Sequence, residues 1–172
     1  GMDTTASDAI SDITLTDCSL ATCEAKTGNG GGLRAAGNSI SVVGCDFEAC
    51  LASGNASNGG GAAVINYSAV RVDFASCNFN RCSAVLAGGG LYTTGLALYV
   101  DGDSSIVRCT SGTTGGGIAH VHYDGTAEMH VSDVLFDSCE AGTLGGGLYS
   151  NTSSVDVLDC QFDTCKSFGT AE

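Results

Sequence analysis

Short alternations of apolar and polar residues run the length of this chain. Cys45 and Phe47 alternate with Asp46 and Glu48, and Cys160 and Phe162 alternate with Gln161 and Asp163. A second set precedes each such run: Ile13-Thr14-Leu15-Thr16, Ile40-Ser41-Val42, Val70-Arg71-Val72-Asp73-Phe74, Leu98-Tyr99-Val100, Met129-His130-Val131-Ser132 and Val155-Asp156-Val157. A third follows glycine triplets, as in Leu91-Tyr92-Thr93-Thr94 and Leu148-Tyr149-Ser150. A period of two marks a half-buried strand, because successive side chains leave a strand on opposite faces. The pattern predicts an all-β chain with three short strands to a unit.

The units recur. Glycine triplets begin at Gly30, Gly59, Gly88, Gly115 and Gly145, at intervals of 29, 29, 27 and 30 residues. Such a period belongs to a solenoid, whose unit is too small to bury its own apolar face and so stacks on copies of itself. In register, the unit reads C-x-Φ-x-x-C-x-A, a variable stretch, then G-G-G-Φ. Two columns are uniform: Leu20, Phe47, Phe79, Ile106, Phe136 and Phe162 form one, and Cys23, Cys50, Cys82, Cys109, Cys139 and Cys165 the other. The position between them drifts through Ser19, Asp46, Asn78, Ser105, Leu135 and Gln161. Conserved packing inside and free variation outside are what stacked strands require. The glycines suit tight corners, where positive φ or close backbone approach excludes a side chain. We therefore expect a right-handed parallel β-helix of about six coils of 27–30 residues, roughly 29 Å long at ~4.8 Å per coil. Residues 1–172 should form one such domain, a fragment of a longer array whose uncapped ends could self-associate end to end.

Ten cysteines admit two readings. They are a ladder of buried thiols acting as small hydrophobes, or they are disulfide-bonded, as in an oxidising compartment. A full pairing can be written as Cys18–Cys23, Cys45–Cys50, Cys77–Cys82 and Cys160–Cys165 within units, with Cys109–Cys139 between units. No C-x-x-C pair is present, which argues against zinc. Sequons at Asn55, Asn66 and Asn151 are compatible with a secreted eukaryotic source.

The repeat resembles that of the chlamydial polymorphic outer membrane proteins, which alternate F-x-x-N and G-G-A-[ILV] motifs. Phe47-Glu48-Ala49-Cys50, Phe79-Asn80-Arg81-Cys82, Phe136-Asp137-Ser138-Cys139 and Phe162-Asp163-Thr164-Cys165 stand where F-x-x-N would be, and Gly89-Gly90-Leu91 and Gly146-Gly147-Leu148 near G-G-A-I. Cysteine replaces asparagine in every unit, and glycine replaces alanine. The resemblance implies a non-catalytic structural or adhesive stalk or passenger at an extracellular cell surface. Its partner would be a protein or glycan of a host or neighbouring cell. Where the related repeat uses asparagine to satisfy corner backbone groups, a thiol is a poor hydrogen-bonding substitute. The cysteines are therefore expected to pack or cross-link.

Charge narrows the partners. Six basic residues against nineteen acidic ones leave a net charge of −13. Such a surface repels nucleic acid and anionic membranes, and no apolar run is long enough to insert in a bilayer. Candidate chemistry is thin, and no cofactor is expected. His120 and His122, two apart on a strand and close in sequence to His130, are the best metal ligands, with Asp124 or Glu128 as a third. Asp101-Gly102-Asp103-Ser104 resembles the start of a calcium loop but lacks its later ligands. Asp137 and Asp163 occupy one outward column and are the nearest approach to a glycosidase or lyase pair. A polysaccharide lyase or glycan-binding β-helix is thus the alternative to a stalk. An ice-binding solenoid, which needs stacked threonine rows, is more remote; Thr93, Thr94, Thr113, Thr114 and Thr143 are its candidates.

Overall fold

The computed structural model describes residues 1–5, 12–65, 70–124 and 126–169. Asn66 lies outside the described residues. The described chain contains 24 strands and no helix. They assemble into four parallel sheets of six strands, a β-solenoid of six coils. Each coil contributes one strand to each sheet in turn. The third coil, for example, runs Ala62–Val64, Arg71–Ala75, Asn78–Asn80 and Ser83–Ala84.

Four strands per coil correct the expected three. The additional one is the two-residue segment after the second cysteine, such as Leu51–Ala52, which pairs with Glu24–Ala25 and Ser83–Ala84. Two residues are too few to display a period, so the pattern hid it. The other three sheets correspond to the three alternating runs.

Register follows the aligned repeat. Leu20 pairs with Phe47, Phe47 with Phe79, Phe79 with Ile106, Ile106 with Phe136 and Phe136 with Phe162. Phe47 and Phe79 stack face to face at 4.6 Å between ring centroids, and Phe136 and Phe162 at 4.5 Å. Ile106 separates the two pairs. The second sheet contributes two further inward columns, of which Ile40, Val72, Leu98 and Met129 form one and Val42, Phe74, Val100 and Val131 the other.

Corners have a conformation that the sequence does not announce. Among the described residues eleven non-glycines have positive φ: Asp17, Thr22, Ala49, Ser76, Arg81, Arg108, Ser138, Asp159 and Thr164 each stand immediately before a cysteine of the repeat, and Asp103 and Asp133 before Ser104 and Val134, which take the first cysteine's place in their units. Gly44 occupies the equivalent place before Cys45, with φ 62°. A single left-handed residue turns the chain while keeping its N–H along the rod axis. Ala49 N–H donates to Asn80 O at 2.8 Å and Arg81 N–H to Val107 O at 2.9 Å, each in the next coil. The backbone ladder thus continues round the bends, which offsets the ~1–2 kcal/mol cost of the left-handed state for an L-residue.

Within a glycine triplet each residue is required for a different reason. Gly59 has φ 68°. A Cβ on Gly60 would collide with backbone atoms of Ser83, in the fourth-sheet strand of its own coil. A Cβ on Gly61 would meet the Phe79 ring at 2.6 Å. The coil is therefore so flat that the triplet lies directly on the short strand and the aromatic column.

The two ends differ. In the last coil Val155, Val157 and Phe162 are 44%, 40% and 47% exposed, although the same columns are sealed in the interior. In the first coil Leu15 and Leu20 remain buried.

Two stability changes follow. Phe79→Ala should cost about 3–5 kcal/mol, and Phe162→Ala, at the open end, clearly less; chemical denaturation of both variants measures the difference. Ala49→Gly should gain about 1 kcal/mol by relieving a left-handed alanine. A loss at Ala49→Gly in the same assay would contradict the corner geometry.

Candidate functional surface

The outer face of the third sheet carries a stacked set of polar side chains. Asp46, Asn78 and Ser105 stand one above another. Asn78 Nδ2 donates to Asp46 Oδ1 at 2.8 Å, and Ser105 Oγ to Asn78 Oδ1 at 2.7 Å. In the neighbouring column Asn80 Nδ2 donates to Glu48 Oε2 at 2.8 Å, and Arg81 forms an ion pair with Glu48 at 3.3 Å. Asp46, Glu48, Asn78, Asn80, Ser105 and Arg108 border an open groove of about 600 Å³. Those on the strands reach the surface because the intervening residue, Phe47, Phe79 or Ile106, points inward.

A second feature lies on the second sheet. The Arg71 guanidinium sits 3.9 Å from the centre of the Tyr99 ring, and His130 stacks on Tyr99 at 4.8 Å. His130 Nδ1 lies 3.0 Å from Asp156, and Arg71 also holds Asp73 at 2.7 Å. Asp73, Tyr99, His130 and Asp156 are paired register positions on successive coils. This ladder was missed because each member is an ordinary outward residue of its own strand. Stacking the second-set runs, rather than only the cysteine-bearing runs, would have found it.

The cysteine columns occupy the two corners flanking the third sheet. Cys50, Cys82, Cys109 and Cys139 are fully buried, and Cys23 and Cys165, in the end coils, are partly exposed. All ten cysteines are free thiols. The thiols do hydrogen-bond, contrary to expectation. Cys50, Cys82, Cys109, Cys139 and Cys165 donate to the carbonyls of Leu20, Phe47, Phe79, Ile106 and Phe136, at 3.1–3.6 Å. Every acceptor belongs to the inward apolar residue one coil earlier. The sulfur thus satisfies a corner carbonyl and fills core volume together. Burial pushes the Cys77 thiol up to about 12 and the Cys109 thiol well above its ordinary value. The within-unit pairings are corrected as well. Cys45 and Cys50 lie at opposite ends of the strand Asp46–Glu48, more than about 10 Å apart at roughly 3.3 Å per residue, beyond disulfide reach.

His120 and His122 do not share an exposed face. His120 ends the strand Ile118–His120 and points into the core, where Nδ1 is hydrogen-bonded to the Thr93 hydroxyl. His122 lies beyond that strand, buried, with Nδ1 3.2 Å from Asp124. Among the described residues no group of three His, Cys, Asp or Glu side chains could hold a metal ion. Asp103, Asp133 and Asp159 border a corner depression of about 350 Å³. Ser104 of the calcium-like stretch instead turns inward, donating to Asp101 O at 2.6 Å and accepting from Cys77 N–H. Asp137 and Asp163 are register partners, as expected, and Asp137 Oδ1 accepts from Ser138 Oγ at 2.8 Å. Thr93 and Thr94 are sealed in the core and cannot belong to an exposed threonine row. Of the two described sequon asparagines, both are exposed, and Asn151 accepts from His122 N–H at 2.8 Å.

The chain matches no protein-family model, no curated protein and no solved structure. The fold and surface therefore define it only as a parallel β-solenoid with a polar groove on one sheet.

Burial pushes His120 down to about 4 from an ordinary 6.5. The folded state holds it neutral and the unfolded state protonates it, so its stabilisation is complete above pH 6.5 and falls away between 6.5 and 4. The loss should reach about 3 kcal/mol by pH 4. Denaturation of the parent chain and of His120→Gln across that range measures it: the variant's profile should be flatter, and parallel profiles would contradict the assignment.

Proposed function

We propose that this chain is a non-catalytic structural and adhesive segment of an extracellular, cell-surface protein, as its resemblance to the chlamydial repeat implies. The observation that carries this reading is the division between interior and exterior. Six coils share uniform inward columns and continuous parallel ladders, which makes a stiff spacer. The outward positions are free to vary, and on the third sheet they gather amide, hydroxyl, carboxylate and guanidinium groups along one groove. Such groups suit the hydroxyls of a glycan or the polar surface of a protein on another cell. The net charge of −13 disfavours nucleic acid and anionic lipid as partners.

Glycan binding is the reading from another class that a specific observation favours, namely the groove. A lyase rests only on Asp137 and Asp163. Neutral oligosaccharides and polygalacturonate, titrated against the immobilised chain, separate these readings. Adhesion through the groove predicts reversible binding that falls about tenfold or more when Asn78→Ala and Asn80→Ala are combined, since each lost hydrogen bond is worth roughly 1 kcal/mol. Binding unchanged in that variant would remove the groove from the proposal. Turnover of polygalacturonate that disappears in Asp163→Asn would replace adhesion with catalysis.

A further inference from the structure

We infer that oxidation of this protein forms disulfides along the rod axis, between equivalent cysteines of adjacent coils, beginning at the two ends. The inference stands on the geometry of the thiol columns and does not depend on the adhesive reading.

Along the axis the thiols are neighbours. Lys166 N–H donates to Cys139 O at 2.8 Å, Leu51 N–H to Cys23 O at 2.8 Å and Asp46 N–H to Cys18 O at 2.9 Å. These bonds place Cys139 beside Cys165, Cys23 beside Cys50 and Cys18 beside Cys45, one strand spacing apart. That spacing, ~4.8 Å, lies inside the 4.4–6.8 Å range of Cα separations in disulfides. Cys18 N–H reaches Cys45 Sγ at 3.4 Å.

Accessibility sets the order. Cys18, Cys23, Cys160 and Cys165 are partly exposed; the other six thiols are buried. A peroxide therefore meets an end thiol first. The end sulfur attacks one peroxide oxygen and expels hydroxide, which leaves as water, and becomes a sulfenic acid. The thiol one coil inward then attacks that sulfur, forms the S–S bond and releases a second water. Two thiols are oxidised by two electrons, and one peroxide is reduced to two waters. Cys82 and Cys109, also neighbours but sealed, should close last.

One end thiol is built to fail. The first column reads Cys18, Cys45, Cys77, Ser104, Val134, Cys160, and Gln161 N–H donates to Val134 O. Cys160 thus has valine where the other three end thiols have cysteine. Among the described residues its sulfenic acid has no axial partner.

The test is hydrogen peroxide titration of the folded, fully reduced chain, followed by alkylation, dimedone trapping and non-reducing peptide mapping. Axial pairing predicts Cys18–Cys45, Cys23–Cys50 and Cys139–Cys165 bonds, which consume six of the ten thiols, while Cys160 is recovered as the dimedone adduct. Val134→Cys should then draw Cys160 into a bond and abolish that adduct. A Cys18–Cys23 or Cys160–Cys165 bond, links only between molecules, no bond at all, or an adduct that persists at Cys160 in Val134→Cys would each overturn the inference.

Discussion

Everything in this molecule depends on in-register parallel pairing that does not stop at the corners. A parallel strand needs a partner displaced along the rod by one coil, and a bend ordinarily breaks that relation. Here single left-handed residues such as Ala49 and Arg81 turn the chain with their N–H groups still directed at the next coil. The glycine triplets do the same where the turn is tightest: Gly60 N–H donates to Gly88 O at 3.1 Å. Because the ladder is continuous, each side chain has the equivalent side chain of the next coil as its nearest neighbour.

Columns are the consequence of that constraint, and they explain the composition. An aromatic ring repeated at one position stacks on itself, as Phe47 does on Phe79 with an interplanar angle of 2°. A cysteine repeated at a corner reaches the carbonyl of the preceding coil with its thiol while its sulfur stays in the core. Serine at position 104 shows what a stronger hydrogen-bonding group does in such a column: its hydroxyl binds a local carbonyl and the N–H of Cys77. The same geometry makes every thiol column a line of potential cross-links parallel to the rod. It forbids links across the third sheet, because the strand between the two columns cannot be shortened.

The outside obeys no such rule, and function has to be sought there. The third-sheet groove and the Arg71–Tyr99–His130–Asp156 ladder both arise because residues remote in sequence are stacked by the coil repeat. Within each, the side chains already hydrogen-bond or pair with one another, so the surface is ordered before any ligand arrives. Preorganised polar groups of this kind lose little conformational freedom when a partner binds.

The sequence by itself determined the repeat, the direction of stacking and the residues that line the interior. Period-two alternation, the spacing of the glycine triplets and the uniform Φ and cysteine columns suffice for that, since inward positions are constrained by their own copies. It did not disclose the fourth sheet, whose two-residue strands are too short for periodicity, nor the left-handed residue before each column, which varies from alanine to arginine. It misplaced His120 and His122, because alternation does not continue past the end of a strand and into a corner. It also suggested cysteine pairs close in sequence. Only the tertiary structure decided those points, because nearness in a solenoid is measured along the stack, one coil away, and not along the chain.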